Sequence, residues 1–331
     1  MSVRSLTVDE SAAIYHQHIA PVLFPSATAV DRPDLAIVTG DEGAGSSRAS
    51  SKILRESTGM ARVSGAELAA FHPDYLQART STDAAVVSEA AAGWVQSAIR
   101  DARRFRRSLL IEGEGLSVSA VAGIIDVFGR NGFSTRLVLV ASRRSDSLLA
   151  LVAHHLLAEL RGGSVAIAAT GGAHTNRLAS AVVQEASRGS LGAMTIHDRR
   201  GGVVFDESRK GTDDPFAYAG AALHAASGEP RTALEAIQWL SEVRRISEYV
   251  AAARRFDRTV VAALIELHEF ALNEVIPALP VPRGSLAVGR QEREHAAKLV
   301  MLREMLAPSR AVQESGPAVS PPAIDPDGPS R

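Results

Sequence analysis

The stretch Leu35-Ala36-Ile37-Val38-Thr39-Gly40-Asp41-Glu42-Gly43-Ala44-Gly45-Ser46-Ser47 decides the fold. An apolar run of strand length feeds a glycine loop, and the residues from Ser47 to Ser57 can continue as a helix. This is the setting of the phosphate-loop pattern G-x-x-x-x-G-K-[ST]. There, backbone N–H groups cradle phosphate, the lysine reaches the β- and γ-phosphates, and the hydroxyl meets magnesium. Gly40, Gly45 and the final hydroxyl, Ser47, stand where the pattern needs them, but the lysine position holds Ser46. The nucleotide-binding residues expected from this loop are Gly40, Gly43, Ala44, Gly45, Ser46 and Ser47, with Ser47 as the magnesium ligand. Ser46 offers a dipole in place of a charge, and Asp41 and Glu42 add negative charge beside the loop.

Working outward, strands alternate with helices from about residue 34 to 205. A weak strand is expected at Ala61 to Ser64. Apolar residues at Val86, Val87, Ala90, Trp94, Val95, Ala98 and Ile99 predict a helix over 82–104 with one buried stripe. Ser108 to Ile111 reads as a strand ending at Glu112. Ser117 to Arg130 reads as a helix stopped by Asn131-Gly132. Arg136 to Ala141 is a buried-type strand, Leu148 to Leu160 and Leu178 to Ala186 are helical, and Ala193 to Ile196 is the last strand expected. Val8 to Pro21 is expected as a short helix that Pro21 ends. This alternation predicts an α/β fold: a P-loop NTPase-like, mostly parallel sheet flanked by helices. From residue 215 to 306 only helices are expected, at 217–226, 231–255, 257–275 and 291–306, forming a C-terminal all-helical appendage. Residues 308–331, rich in proline, serine and charge, are expected to be disordered. The division expected is 1–213 (core about 20–205), 215–306 and 308–331, with no internal repeat.

Composition narrows the function classes. Apolar residues make up 46% of the 331, enough for a sizeable core. A net charge of −1 gives no general reason to expect nucleic acid or an anionic membrane. The absence of cysteine excludes disulfides, thiolate metal sites and cysteine nucleophiles. No run of about 18 apolar residues points to a membrane span. The polar segment Met1 to Glu10 lacks a signal-peptide pattern, so a cytoplasmic protein is expected.

Several pieces then fall in a distinctive order. Pro33 precedes the first strand and GDEGAGSS follows it. Val63-Ser64-Gly65-Ala66-Glu67-Leu68-Ala69 comes next, then Phe71-His72-Pro73-Asp74-Tyr75 and Leu110-Ile111-Glu112-Gly113. Gly132-Phe133 leads into a strand ending at Ala141, Ser147 starts a helix, and His174 follows a glycine-rich turn. Over roughly residues 20–205 this order resembles the zeta toxin family of P-loop kinases, whose members phosphorylate UDP-N-acetylglucosamine. The resemblance implies ATP and Mg2+ as cofactors, a nucleotide or nucleotide sugar as ligand, and a helical antitoxin as protein partner. It places substrate-binding roles at Glu112 and His72. It also places the loop lysine at Ser46, the catalytic aspartate at Ala66 and an arginine at Ala69. A threonine position falls at Glu114, a helix arginine near His154 or His155, and a second arginine finds only Arg161 as a candidate.

Glu67, next to Ala66, is the one replacement base the sequence offers, although adjacent side chains diverge and a solvated carboxylate at a helix start is the plainer reading. Lys52 and Arg48 are the cations nearest the missing lysine, and both lie further along the helix. Adjacent His154 and His155 point in two directions and make a poor chelate. The run Arg100, Arg103, Arg104, Arg106, Arg107 suits a solvated helix end, where cations complement the macrodipole. The expectation is therefore a zeta-toxin-like protein impaired in catalysis that binds nucleotide weakly. The alternatives are a non-enzymatic scaffold of the same fold and an active kinase with a relocated cation.

Overall fold

The computed structural model describes residues 3–25, 30–40, 43–57, 59–78, 81–113, 116–160, 181–185, 189–211, 214–282 and 284–306. Six strands form one sheet: β1 (Asp34–Gly40), β2 (Ala61–Ser64), β3 (Leu109–Glu112), β4 (Ser134–Val140), β5 (Ala193–His197) and β6 (Val203–Ser208). Their order is β2-β3-β1-β4-β5-β6, parallel throughout except that β6 runs antiparallel to β5.

β1 reads as a continuous apolar run because both faces of the sheet are covered. Leu35 and Ile37 point to the face packed by Trp94 and Phe128, together with Leu109, Ile111, Leu137 and Leu139. Ala36 and Val38 point to the other, where Ala49 and Ile53 of helix α3 (Ser46–Glu56) pack with Leu110 and Val138. The first face carries α5 (Ser81–Arg104) and α6 (Val118–Arg130). The chain thus leaves β1 on one face and β3 on the other. Such a reversal between neighbouring strands opens a crevice beyond their carboxyl ends.

Two local departures from the sequence reading have physical causes. The N-terminal helix, α1 (Val8–Ile14), starts on a capping box between Thr7 and Glu10. It does not stop at Pro21. A π-turn over Tyr15–Ile19 widens the helix, and α2 (Ala20–Leu23) carries the helical run on through Pro21. Tyr15 Oη donates to Asp101 at 2.9 Å, and Trp94 Nε1 donates to the Ser11 carbonyl at 3.0 Å, which ties this segment to α5. Beyond the expected last strand, β6 returns through a turn at Asp198 to Gly202. There Gly201 takes φ 87°, and Asp198 N–H donates to the Gly202 carbonyl at 2.8 Å.

Past β6, helix α8 (Ala219–Gly228) packs Ala219 and Leu223 into the sheet core. Helices α9 (Ala233–Ala252), α10 (Arg258–Phe270) and α11 (Leu286–Leu306) share a second core with α7 (Arg144–Leu160), built from Leu148, Leu149, Val152 and Leu156 against Trp239, Val243, Leu264 and Leu267. α7 therefore belongs to both units: it follows β4 in the sheet and supplies one wall of the helical core. Of the expected helix at Leu178 to Ala186, residues 181–185 are described and are helical. The 308–331 tail, His174, Arg161, Glu114, Asp41 and Glu42 lie outside the described residues.

Candidate functional site

The site lies at the carboxyl edge of the sheet, where β1 gives way to the glycine loop. Gly40 pairs with Val140 in the register of β1 and β4, and a Cβ there would meet the Val140 carbonyl oxygen at 2.9 Å. Gly43 (φ 82°) and Gly45 (φ 97°) adopt the left-handed backbone that favours glycine. Gly43 also lies so close to α7 that a Cβ would fall 2.5 Å from the Ser147 carbonyl oxygen. Gly45 is the N-cap of α3, and no side chain caps that helix. The first N–H groups of α3 thus face the loop without a side-chain acceptor, the arrangement that takes an anion.

The side chains at the loop divide sharply. Ser46 is 1% exposed, and its Oγ has no hydrogen-bond partner. Ser50, one turn later on the same helix face, is likewise buried with an unpartnered Oγ. Ala44 is buried and Ser47 is exposed. Arg48 is exposed, and Lys52 is half-buried on α3. Among the described residues of the loop, Gly43, Gly45 and the open N-terminus of α3 are the features a phosphate group would use. The charge that ordinarily locks a nucleotide there is missing at position 46. The donors do not make a metal site on their own: Ser47 is the loop's only hydroxyl in the magnesium position. Among the described residues, no group of three or more His, Asp or Glu could hold a metal ion.

Across the crevice, β3 ends in Glu112. Its side chain is 4% exposed and lies 3.1 Å from Arg62 Nε, with Arg62 in turn 2.5 Å from Glu67 through Nη2. Neither Arg62 Nε nor Glu112 Oε1 completes an aligned hydrogen bond, so the 3.1 Å contact is an ion pair with poor angular geometry. Glu112 and Ala66 line a cavity of about 1030 Å³. Glu67 has its side chain 58% exposed and is held by Arg62. Ala66, at the position of the expected base, carries no proton-accepting group. The sequence reading did not single out Arg62. Its only signal was a charged residue in the middle of the short strand Ala61-Arg62-Val63-Ser64.

His72 is buried in the turn after α4 (Gly65–Ala69). Its Nδ1 accepts the Asp74 backbone N–H at 3.1 Å, which places the proton on Nε2, a buried atom with no partner. It does not line the cavity, whereas Tyr75 and Ala78 of the same segment do. His154 is exposed and His155 half-buried, so the two diverge as adjacent helical residues must.

Beyond β4 and β5 a set of arginines converges on one carboxylate. Asp146 is buried and lies 2.6 Å from Arg199, 2.8 Å from Arg231 and 3.5 Å from Arg143. Arg231 comes from the segment before α9 and stacks over the Trp239 ring, and Trp239 Nε1 donates to the Ser145 carbonyl at 3.2 Å. Arg200 pairs with Glu235 at 2.9 Å. These contacts fasten the C-terminal helices to the carboxyl edge of the sheet, beside the glycine loop.

A chain of the PezAT chromosomal toxin–antitoxin system of Streptococcus pneumoniae superposes with a TM-score of 0.60 and 18% sequence identity, over 76% of this chain and 100% of that one. At that identity the likeness speaks for the fold. No curated protein matches the chain in sequence. The family model described as zeta toxin matches residues 22–210, which span the glycine loop, Glu112 and the whole sheet. With more than half its length matched in this way, the chain belongs to the zeta toxin family.

Proposed function

We propose that this protein holds a phosphate-bearing ligand, a nucleotide or nucleotide sugar, weakly at the glycine loop, and transfers phosphate slowly or not at all. The observation that carries the reading is Ser46: a buried neutral hydroxyl stands where the family's fold needs a mobile cation. Phosphoryl transfer is positioning plus charge stabilisation, and loss of one cationic stabiliser can lower the rate by about 10³–10⁵. Bound ATP would supply the γ-phosphoryl group. The loop N–H groups and the α3 N-terminus would hold its phosphates, with magnesium carried on the phosphates and Ser47 as its protein hydroxyl. Ala66 removes the group that would take the acceptor's proton, and the adjacent carboxylate, Glu67, is drawn to Arg62. Glu112 keeps its place beside the crevice but faces Arg62.

A protein partner is part of this reading, because the structural relative comes from a toxin–antitoxin system. A second reading, an active kinase, rests on Lys52, which is half-buried on the loop's own helix. Calorimetric titration with ATP, UDP-N-acetylglucosamine and Mg2+ separates these readings. The proposal expects saturable but weak ATP binding that Gly45→Glu abolishes. No heat with any of the three would favour the scaffold reading, and turnover that Lys52→Ala eliminates would favour the active kinase.

A further inference from the structure

The cavity beside Glu112 continues far beyond any phosphate site, as a groove between α5 and α6 floored by Ile111 of β3. α5 presents Ala91, Ala92, Val95 and Ile99 to it, and α6 presents Ala120, Gly123, Ile124 and Val127. Each set repeats at three- and four-residue spacing and so forms one stripe. Two helices that face each other with such stripes ordinarily close to 8–10 Å and interdigitate. Here alanine and glycine are too small to span the gap, which forms much of the cavity of about 1030 Å³ that reaches from Ala66 and Glu112 to Arg103. That is the upper end of ordinary small-molecule sites, roughly 300–1,000 Å³. From Ser88 to Arg103 the groove runs roughly 22 Å, at a rise of 1.5 Å per residue. Its far end is cationic: Arg100 and Arg103 both line it. Among the described residues the Arg100 side chain donates only to Ser97, at 3.0 Å, and Arg103 forms no ion pair. A Cβ added at Gly123 meets nothing within 4 Å.

We propose that this groove binds a single-chain anionic amphiphile, a long-chain carboxylate. The alkyl chain lies between α5 and α6, and the head group sits at Arg100 and Arg103. A nucleotide or sugar would leave these apolar walls unmatched. An alkyl chain recovers the dispersion contacts that the gap forfeits and removes its own apolar surface from water. This inference is independent of nucleotide binding at the glycine loop.

The test uses full-length protein and the fluorescent probe dansylaminoundecanoate, displaced by myristate. Saturable one-to-one binding is expected. Gly123→Phe, whose Cβ meets nothing within 4 Å, places a ring in the groove and weakens binding at least tenfold. Gly93→Phe, at an equally open position outside the groove, leaves it unchanged. The pair Arg100→Glu and Arg103→Glu weakens myristate at least tenfold while leaving its methyl ester unaffected. Thermal midpoints and ATP titrations of the variants report separately on folding and on the glycine loop. Absence of saturable binding, equal losses in Gly93→Phe and Gly123→Phe, or binding only to phosphatidylglycerol vesicles and not to free myristate would overturn the proposal.

Discussion

At the scale of single residues, Ser46 and Arg62 set the chemistry in opposite ways. Ser46 removes a cation from the loop. Arg62 adds one beneath the crevice, where it binds both Glu112 and Glu67. Ser46→Lys is expected to raise ATP affinity roughly tenfold, about 1.4 kcal/mol, measured by calorimetry, and to raise turnover by less. The lysine would meet phosphate, but Ala66 would still leave the acceptor's proton with no base. Full restoration of turnover by this one change would contradict the role assigned to Ala66. Removing Arg62 strands the buried Glu112 carboxylate. Breaking a fully buried pair costs about 3–5 kcal/mol, and Arg62 is a quarter exposed, so Arg62→Ala should cost about 1–3 kcal/mol in urea denaturation. Adding Glu112→Gln should recover most of that loss, and a double variant as unstable as the single would show that the pair is not the cause. The loop glycines and Ser46 were legible from sequence because a phosphate loop is a local pattern. Arg62 was not, because its partners lie five residues away on α4 and fifty residues away on β3.

At the scale of elements, the buried pair in the C-terminal helices gives the clearest expectation. His268 of α10 and His295 of α11 meet at 2.8 Å through their Nδ1 atoms, and Ser247 Oγ lies 3.2 Å from His268 Nε2. Ser247 already donates to the Val243 carbonyl at 2.7 Å, so its oxygen accepts from Nε2–H of His268, and His295 Nδ1–H donates to His268 Nδ1. Every proton position in this chain is filled by neutral rings. Burial lowers His268 to about 3, reinforced by His295 and Lys298. Burial also lowers His295 to about 4, with Lys298 and Arg244 acting in the same direction and Glu294 against them. Native values below the unfolded value near 6.5 leave stability at full strength above that pH. As the pH falls from 6.5 toward 4, the unfolded chain takes up protons that the native pair refuses. Stability should decline by about 1.4 kcal/mol per pH unit per histidine. Thermal unfolding across pH 7 to 4 should show this slope, and a chain carrying His268→Asn and His295→Asn should lose it. An unchanged slope would place the sensitivity elsewhere.

The elements also show where sequence periodicity succeeds and where it fails. The stripe Val260, Leu264, Leu267, Ala271 is buried as its spacing predicts. On α9 the buried set is Ala236, Trp239, Leu240, Val243, Ile246 and Val250, whereas the apolar Ile237 is 55% exposed. Ile237 sits only one residue from Ala236, which on a helix is a turn of about 100°. β6 escaped notice because an antiparallel edge strand needs only one covered face. Its three apolar residues precede Asp206-Glu207-Ser208, and Val203 and Val204 remain exposed.

At the scale of the whole molecule, the two cores meet along α7, whose Leu148, Leu149, Val152 and Leu156 face the C-terminal helices. Truncation after residue 213 would expose that stripe and remove Phe216, Ala219 and Leu223 from the sheet core. The remaining domain is expected to lose solubility or to unfold at a clearly lower temperature in calorimetric scans. Unchanged thermal stability would mean that the C-terminal helices do not complete the core. The order of strands and helices was readable from residue 34 onward because β1, β3 and β4 carry buried apolar runs. The sharing of α7 was not, because an amphipathic stripe announces that it needs a partner without naming it.

The family fold, the phosphate cradle and the missing charge meet in one assay. Full-length protein is incubated with ATP labelled in its γ-phosphate, Mg2+ and UDP-N-acetylglucosamine, and phosphosugar is quantified over time. The account predicts turnover far below the usual kinase range of about 1–100 s⁻¹, even at ATP concentrations that saturate the loop. Phosphosugar formed at a rate within that range would contradict it, because the chain would then be catalysing with neither a cation at position 46 nor a base at position 66.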